Sequence, residues 1–172
     1  MPPGVKLVFV GEAVGDESAR CGHYYSHASN SFWDDLHASG LTPELLGPEQ
    51  DTELPRYGIG LTDVVKDLTN SQVNWRVYLD EAWAQRVDDL RKRILAVRPR
   101  FVCFNSYGIA SRTVQRHPLF GRLMVSFAGA DAWAVPDSSW LARSHRPKRL
   151  EILKRLADRL TPASASAPPC GG

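Results

Sequence analysis

The chain has 172 residues, of which 43% are hydrophobic and 23% are charged, and its formal net charge at pH 7 is +2. This composition is ordinary for a globular protein with a sizeable core, and the small net charge excludes a surface that is basic all round but leaves a local basic patch open. No apolar stretch approaches the roughly 20 residues that a membrane-spanning helix needs.

The three cysteines, Cys21, Cys103 and Cys170, are far apart in the sequence. Their spacing provides neither a disulfide framework nor a zinc or iron–sulfur ligand set, so we expect no metal and no other cofactor. The chain does not open with a basic segment followed by an apolar one, which predicts a cytoplasmic protein. We expect a monomer without membrane contacts.

The first half of the chain begins with a predicted strand at residues 6–10. The segment Gly-Glu-Ala-Val-Gly at 11–15 is predicted to be the loop that follows this strand. A helix is predicted over 30–39, and 42–56 is predicted to be a connection with one helical turn. The apolar alternation at 57–65 predicts a second strand.

The second half alternates helices with strands. The predicted elements are a helix at 79–98, a strand at 100–105, a helix at 107–116, strands at 123–127 and 132–135, a loop at 136–146 and a helix at 148–160. Such alternation with short connections predicts an α/β fold, a three-layer α/β/α sandwich with a central, mostly parallel sheet. Residues 1–160 are predicted to form one domain, and the proline-rich tail at 161–172 is predicted to be disordered.

Acids, hydroxyls and aromatics follow the first strand, among them Glu12, Asp16, Ser18 and Tyr25. Such side chains at the carboxyl end of a buried strand are typical of a binding site in an open α/β sheet. A polar surface loop without a function is the alternative, and the residues alone do not separate the two.

Asp63 stands among Leu61, Val64 and Val65, a pattern that predicts a partly buried carboxylate. Burying a carboxylate without a partner is unfavourable, so a functional role is one interpretation. A helix N-cap or a turn acid is the other.

A third segment combines Trp140 and Leu141 with Ser138, Ser139 and Arg143. Hydroxyls and cations bind phosphates, and an exposed apolar tip inserts between stacked bases, so the combination is typical of a nucleic-acid contact. The alternative is that Trp140 packs into the core.

Five motifs together carry a family resemblance. They are GEAVG at 11–15, GHYYSHASNSFW at 22–33, LPRYGIGLTDVV at 54–65, FVCFN at 101–105 and PDSSWLAR at 136–143. With these motifs the chain resembles the mismatch-specific uracil/thymine-DNA glycosylases of the uracil-DNA glycosylase superfamily. The resemblance implies a monofunctional DNA-repair enzyme that flips uracil out of DNA, releases free uracil and leaves an abasic site.

The resemblance also implies roles for single residues. Tyr25 matches the aromatic on which the flipped base stacks, Asp63 matches a polar residue, often Asn, that reads the base edge, and Ser18 lies where the pocket loop approaches the base. In the last motif, Ser138 and Ser139 match the part that binds phosphate. Trp140, Leu141 and Arg143 match the loop that enters the gap left by the flipped nucleotide, with Leu141 as the wedge.

The first motif departs from the family pattern Gly-Ile-Asn-Pro-Gly. Ala13 replaces the Asn that positions the attacking water, and its methyl group binds no water. Glu12 resembles the Glu of the Gly-Glu-Ala-Pro-Gly motif in iron–sulfur uracil-DNA glycosylases, although the cysteine ligands of that group are missing. We therefore expect Glu12, or in second place Asp16, to orient water or stabilise the cationic sugar, with backbone N–H groups of 12–15 facing the leaving base.

Other functions stay open at this point. An ionised Asp63 only accepts hydrogen bonds, whereas Asn also donates. Unless burial keeps Asp63 protonated, this favours another deaminated base such as hypoxanthine or xanthine. Ala13 leaves open a non-catalytic protein that recognises uracil or abasic sites. A nucleotide-binding module with phosphates at 11–15 is a further alternative, which lacks a Walker lysine.

Overall fold

The central element is a five-stranded sheet with the strand order β2-β1-β3-β5-β4. A computed structural model of the protein describes residues 2–73, 81–114 and 116–160. The strands are β1 (Leu7–Val14), β2 (Ile59–Thr69), β3 (Phe101–Phe104), β4 (Gly121–Phe127) and β5 (Ala130–Ala134). Neighbouring strands are parallel except β4, which pairs with β5 in antiparallel orientation.

Helices cover both faces of this sheet. They are α1 (Asp16–Cys21), α2 (Phe32–Ala38), α3 (Glu81–Val97), α4 (Tyr107–Thr113) and α5 (Arg146–Leu160), together with 3₁₀ helices at Pro48–Tyr57 and Trp140–His145. Successive strand residues point to opposite faces. Val8 and Val10 of β1 therefore pack with α3 and α4, whereas Leu7 and Phe9 pack with α2 and α5. The predicted three-layer α/β/α sandwich is confirmed.

The structure differs from the predicted elements near the first motif. Strand β1 continues through the predicted loop to Val14, because β2 is long enough to pair with it: Gly11 pairs with Asp63, and Ala13 pairs with Val65. The short helix α1 was not predicted, since its sequence DESARC carries no apolar periodicity. The predicted helical turn before residue 47 is instead the 3₁₀ helix Pro48–Tyr57.

Strand β1 is longer than its neighbour β3, and this difference opens the sheet. The β1–β3 pairing ends at Val10 and Phe104, whereas β1 goes on for the length of the glycine-bounded motif. Chain connectivity also reverses direction here, because β2 and β3 lie on opposite sides of β1. Open α/β sheets bind ligands in the crevice at such a switch point, beyond the carboxyl ends of the strands.

Two further sequence predictions concern membrane contact and the tail. None of the helices among the described residues is both long and apolar enough to cross a membrane. The tail at 161–172, predicted to be disordered, lies outside the described residues.

Gly11 is required by the close approach of β1 to the Asp63 side chain. A β-carbon at this position would overlap the Asp63 Oδ1 atom, so Gly11→Ala forces either the carboxylate or the strand to move. We expect the free energy of unfolding to fall by about 1–3 kcal/mol, as for other overpacked core sites. Urea denaturation measures this change. Gly15→Ala is the matched control, because a β-carbon there meets no atom within 4 Å; equal stability of both variants would contradict the prediction.

Candidate active site

A cavity of about 380 Å³ lies at the carboxyl ends of the parallel strands. Its size is in the range of sites for small organic ligands. The walls bring together eight of the residues that the sequence predicted: Glu12, Ala13, Asp16, Ser18, Tyr25, Asp63, Ser138 and Ser139. Trp140, Leu141 and Arg143 follow directly after this wall, in the 3₁₀ helix Trp140–His145.

Tyr25 forms an aromatic platform on one side of the cavity. Its ring stacks on Phe32, with the centroids 3.9 Å apart and an angle of 17° between the planes. Phe32 is fully buried and in turn meets Phe9 edge to face at 5.3 Å, so the platform rests on the core. Because Phe32 covers one face of Tyr25, a flat ligand in the cavity can stack only on the opposite face.

Asp63 is an interior residue of β2 whose side chain lines the cavity, so it is neither a helix N-cap nor a turn acid. It is 4% exposed, and its Oδ2 atom accepts no hydrogen bond from the described residues. The nearest cation is Lys66, with 3.9 Å between Nζ and Oδ2. Burial raises the pKa of Asp63 from 3.8 to about 6, against the opposing effects of the Lys66 and Arg93 charges and of a hydrogen bond with Tyr24. The carboxyl therefore changes its charge close to neutral pH.

The two acids proposed for catalysis have different surroundings. Glu12 is half-buried and forms an ion pair with Arg112 of α4, whose guanidinium lies over the Trp83 ring at 4.4 Å. Asp16 is exposed at the start of α1, where its Oδ1 accepts a hydrogen bond from the Ser71 hydroxyl at 2.8 Å. Hydrogen bonds from Thr69 and Ser71 lower the pKa of Asp16, so this side chain is ionised at neutral pH.

Ser18 holds the loop that carries Tyr25. The Ser18 side chain is buried in α1, and its hydroxyl oxygen accepts a hydrogen bond from the Ser26 backbone N–H at 3.1 Å. A second anchor is Asp51, which accepts a hydrogen bond from the Tyr24 backbone N–H at 3.1 Å. These contacts fix the loop on both sides of Tyr25, whose φ of 54° lies in the left-handed region that bulky residues rarely adopt.

Asn105 is a cavity residue that the sequence analysis did not single out. It directly follows β3 and is 4% exposed. Its Nδ2 donates to the Tyr25 hydroxyl at 3.1 Å and to the Ser138 hydroxyl at 3.2 Å. The available signal was a polar residue at the end of the apolar strand FVCF, opposite the first motif.

The two serines of the last motif occupy different positions. Ser138 is buried beside Asn105, and its carbonyl accepts a hydrogen bond from the Ser31 N–H at 3.0 Å. Ser139 is half-buried, and its backbone N–H donates to Asp137 Oδ1 at 2.6 Å. Of this pair, Ser139 is therefore the more accessible to a phosphate.

The segment after the cavity presents large apolar side chains to solvent. Trp140 is 63% exposed and Leu141 is 76% exposed, with Arg143 also exposed beside them. The alternative in which Trp140 packs into the core is therefore wrong. An exposed apolar tip next to a cation and hydroxyls, at the rim of a cavity, fits a nucleic-acid contact.

The acidic side chains of the cavity are not clustered in a way that suits a metal ion. Within the described parts of the chain, no three His, Cys, Asp or Glu side chains are grouped so that they would hold a metal ion.

The raised pKa of Asp63 predicts a pH-dependent stability. Because folding raises this pKa, the proton stabilises the folded state; the contribution is complete below about pH 4 and is lost as the pH rises to about 6. Asp63→Asn removes this loss. We expect its stability relative to wild type to rise by about 3 kcal/mol between about pH 4 and pH 7, measured by urea denaturation.

Asp67→Asn in the same strand is the control for this measurement. Asp67 is exposed and hydrogen-bonded to Arg86, which lowers its pKa, so its carboxylate favours folding at neutral pH. Its replacement should bring no gain in stability as the pH rises. An Asp63→Asn variant that also shows no gain would contradict the raised pKa of the buried Asp63 carboxyl.

Comparison with known proteins identifies the family. The model of the uracil DNA glycosylase superfamily matches residues 1–161. A protein from Methanosarcina acetivorans, provisionally assigned as a uracil DNA glycosylase and solved by NMR in solution, is similar in fold with a TM-score of 0.60. It shares 22% sequence identity, over 91% of this chain and 93% of that chain. The chain thus belongs to the uracil DNA glycosylase superfamily, whose members act on DNA.

Proposed function

We propose that the protein is a monofunctional uracil-DNA glycosylase, similar to the mismatch-specific branch of the superfamily. It flips uracil out of DNA, hydrolyses the N-glycosidic bond and leaves an abasic site, acting as a monomer. The observation that carries the proposal is the cavity in which Tyr25, stacked on Phe32, lies beside two buried polar side chains, Asp63 and Asn105. A planar base with polar edges matches this arrangement of one flat wall and adjacent hydrogen-bonding groups.

Base binding combines stacking with hydrogen bonds at the edge. Stacking of a base on an aromatic side chain contributes about 1–3 kcal/mol in single-strand binding proteins. The protonated Asp63 carboxyl donates to the uracil O4 through its O–H and accepts from N3–H through its C=O. The Tyr25 and Ser138 hydroxyls accept hydrogen bonds from the Asn105 amide and keep their own protons, so they add donors for a second carbonyl of the base. The base edge and the protein groups are thus complementary when Asp63 carries its proton.

Hydrolysis breaks the bond between C1′ of the sugar and N1 of uracil. The electron pair leaves with the base, positive charge develops on the sugar, and a water molecule adds to C1′ with loss of a proton. Glu12 stabilises this positive charge or accepts the proton, and its ion pair with Arg112 fixes the carboxylate in the cavity wall. Asp16 is the second candidate for this role, since Ala13 has no polar side-chain atom.

The negative charge on the leaving base requires hydrogen-bond donors. Val10 accepts a hydrogen bond from the Asn105 N–H on the β3 side of the sheet. Residues two apart in a strand orient their backbone groups alike, so the backbone N–H of Glu12 points to the same side, beyond the end of β3. This free edge of β1 supplies a donor in the manner of an oxyanion hole.

DNA contacts follow from the exposed segment after β5. Leu141 fills the gap left by the flipped nucleotide, and Trp140 contacts the neighbouring bases. Arg143 and Ser139 bind the phosphates on either side of this gap. The apolar tip and the cavity belong to consecutive parts of the chain, so a single bound strand reaches both.

A second candidate is a glycosylase for hypoxanthine or xanthine. Hypoxanthine presents an N–H and a carbonyl side by side, as uracil does. With a pKa of about 6, Asp63 is available both as a carboxylate that accepts a hydrogen bond and as a carboxylic acid that donates one. A non-catalytic protein that recognises uracil or abasic sites is a third candidate, favoured by Ala13 in the position of the water-binding Asn.

A cleavage assay on end-labelled oligonucleotides separates these functions. The substrates carry uracil opposite guanine, uracil opposite adenine, single-stranded uracil, thymine opposite guanine, or hypoxanthine, all with chelator present. We expect alkali-sensitive breaks at uracil. Glu12→Gln should release uracil at least about 100-fold more slowly with binding retained, because it removes the charge and the proton acceptor. Asp16→Asn is the parallel variant, and a stronger loss there would transfer the role to Asp16.

Other outcomes of the assay would overturn the proposal. Breaks at hypoxanthine alone would favour the second candidate. No breaks at all, with intact binding to uracil-containing DNA, would favour the recognition protein.

Leu141 is expected to matter only where a base stack has to be replaced. Leu141→Ala should slow uracil release from duplex DNA by about tenfold or more and leave single-stranded uracil nearly unaffected. Met124→Ala is the matched control, since Met124 is an apolar side chain with 92% exposure on the edge strand β4. Single-turnover rates on the two substrates give the comparison. Equal losses on both would exclude the wedge role.

A further inference from the structure

An ion pair is fully buried behind the cavity. Arg149 of α5 and Asp35 of α2 are both 0% exposed, and Arg149 Nε donates to Asp35 Oδ2 at 2.9 Å. Removing two charges from water is so unfavourable that an apolar pair often stabilises a fold as well or better. The two helices also share an apolar interface formed by Phe32, Leu36, Ile152 and Leu153. Holding these helices together is therefore a weak reason for the ion pair.

The guanidinium of Arg149 reaches beyond Asp35 to the ends of two central strands. Its Nη1 donates to the Asn105 side-chain carbonyl, directly after β3. The same nitrogen donates to the Pro136 backbone carbonyl at 2.7 Å, shortly after β5. In addition, the guanidinium lies 5.9 Å from the centre of the Phe32 ring, on which Tyr25 stacks. Arg149 thus contacts the residues that support both walls of the cavity while remaining outside it.

The chemistry of the guanidinium decides which way the Asn105 amide faces. Arginine has donors only, so the Asn105 atom that meets it has to be the carbonyl oxygen. The NH₂ group is then directed to the Tyr25 and Ser138 hydroxyls, at 3.1 and 3.2 Å. The Tyr25 oxygen accepts this hydrogen bond, which leaves its own proton for donation. Both N–H groups of Asn105 are then used, and Ser138, like Tyr25, accepts one of them and keeps its own O–H proton. The cavity therefore presents the Tyr25 and Ser138 hydroxyls as donors.

We propose that Arg149 is a positioning residue: it fixes the orientation of the Asn105 amide, so that the Tyr25 and Ser138 hydroxyls donate into the cavity, and the cavity thereby selects a base carbonyl over a base amino group. The inference rests on the proposed glycosylase function. Uracil carries a carbonyl where cytosine carries an amino group. When the guanidinium is lost, the amide rotates and its oxygen accepts from these hydroxyls, which then no longer donate to the base. The discrimination between the two bases falls.

Two variants test this role. Asp35→Leu/Arg149→Met removes both charges together, so no buried charge is left unpaired. Arg149→Lys keeps the charge opposite Asp35, but a single ammonium group does not reproduce the planar fork that holds Asp35 and Asn105 at once. The second variant keeps the test available if the double variant does not fold. The control is Arg146→Met, because Arg146 donates to the same Asp35 at 2.7 Å and has no hydrogen bond to Asn105 among the described residues.

The first readout is the ratio of uracil release to cytosine release from single-stranded oligonucleotides. We expect this ratio to fall about 10- to 100-fold in both Arg149 variants, which is the discrimination that one good donor–acceptor match provides. In Arg146→Met the ratio should stay at the wild-type value. A general loss of stability would slow both reactions together and leave the ratio unchanged. An unchanged ratio in a folded Arg149 variant would overturn the inference.

The second readout does not depend on activity. In wild-type protein the two Asn105 side-chain N–H signals, assigned by their loss in Asn105→Asp, should be separate and protected from solvent exchange in NMR spectra. In the Arg149 variants they should lose this protection. If wild-type protein releases no uracil but the Asn105 signals lose their protection in the Arg149 variants, the proposed function is overturned and the positioning role is kept. Signals that stay protected without Arg149 would overturn the positioning role alone.

Discussion

The difference in length between β1 and β3 is the constraint on which the cavity depends. Up to Val10 the central strand β1 is paired on both sides, but from Gly11 onward it is paired only with β2. The backbone groups on its other edge then face the cavity, where β3 has turned into α4. A shorter β1 would leave the motif as a loop without a fixed edge. A longer β3 would cover that edge with a strand.

The space between strands β1 and β2 at Gly11 and Asp63 is too small for a side chain larger than glycine at position 11. These two residues are directly paired between β1 and β2, and the Asp63 carboxylate lies over the position where a larger residue would place its β-carbon. The close approach of the strands thus directs the carboxylate into the cavity instead of out to solvent. The same approach explains its burial, and burial in turn explains the raised pKa.

The sequence predicted those parts of the fold in which periodicity is strong. The helix α3 repeats apolar residues on one face, and Trp83, Val87, Leu90 and Ile94 are buried as expected. The strand extension through GEAVG was missed because glycines favour turns locally, whereas pairing with β2 is a tertiary effect. Helix α1 was missed because it has six residues, too few for a period to show.

The candidate site shows the same division between local and tertiary information. Tyr25 and Ser18 were predicted as site residues because they follow the first strand within a few residues of the first motif. Asn105 and Arg149 come from the third strand and the last helix, and only the sheet order brings them to the cavity. An arginine in an amphipathic helix is normally expected to be exposed to solvent. The neighbouring sequence therefore did not predict the complete burial of Arg149.

The two buried carboxylates near the site, Asp35 and Asp63, differ in how many hydrogen-bond partners they have. Asp35 receives hydrogen bonds from Arg149, Arg146 and Ser31, which satisfy a fully buried carboxylate. Asp63 lies almost as deep, yet Lys66 stays 3.9 Å away, and the lysine instead donates to the Tyr24 hydroxyl at 2.7 Å. Incomplete pairing of a buried carboxylate is unfavourable for the isolated protein. Under the proposed function, a base that donates an N–H to Asp63 supplies the missing hydrogen bond. The cost of burying the Asp63 carboxylate in the free protein then favours binding of such a base.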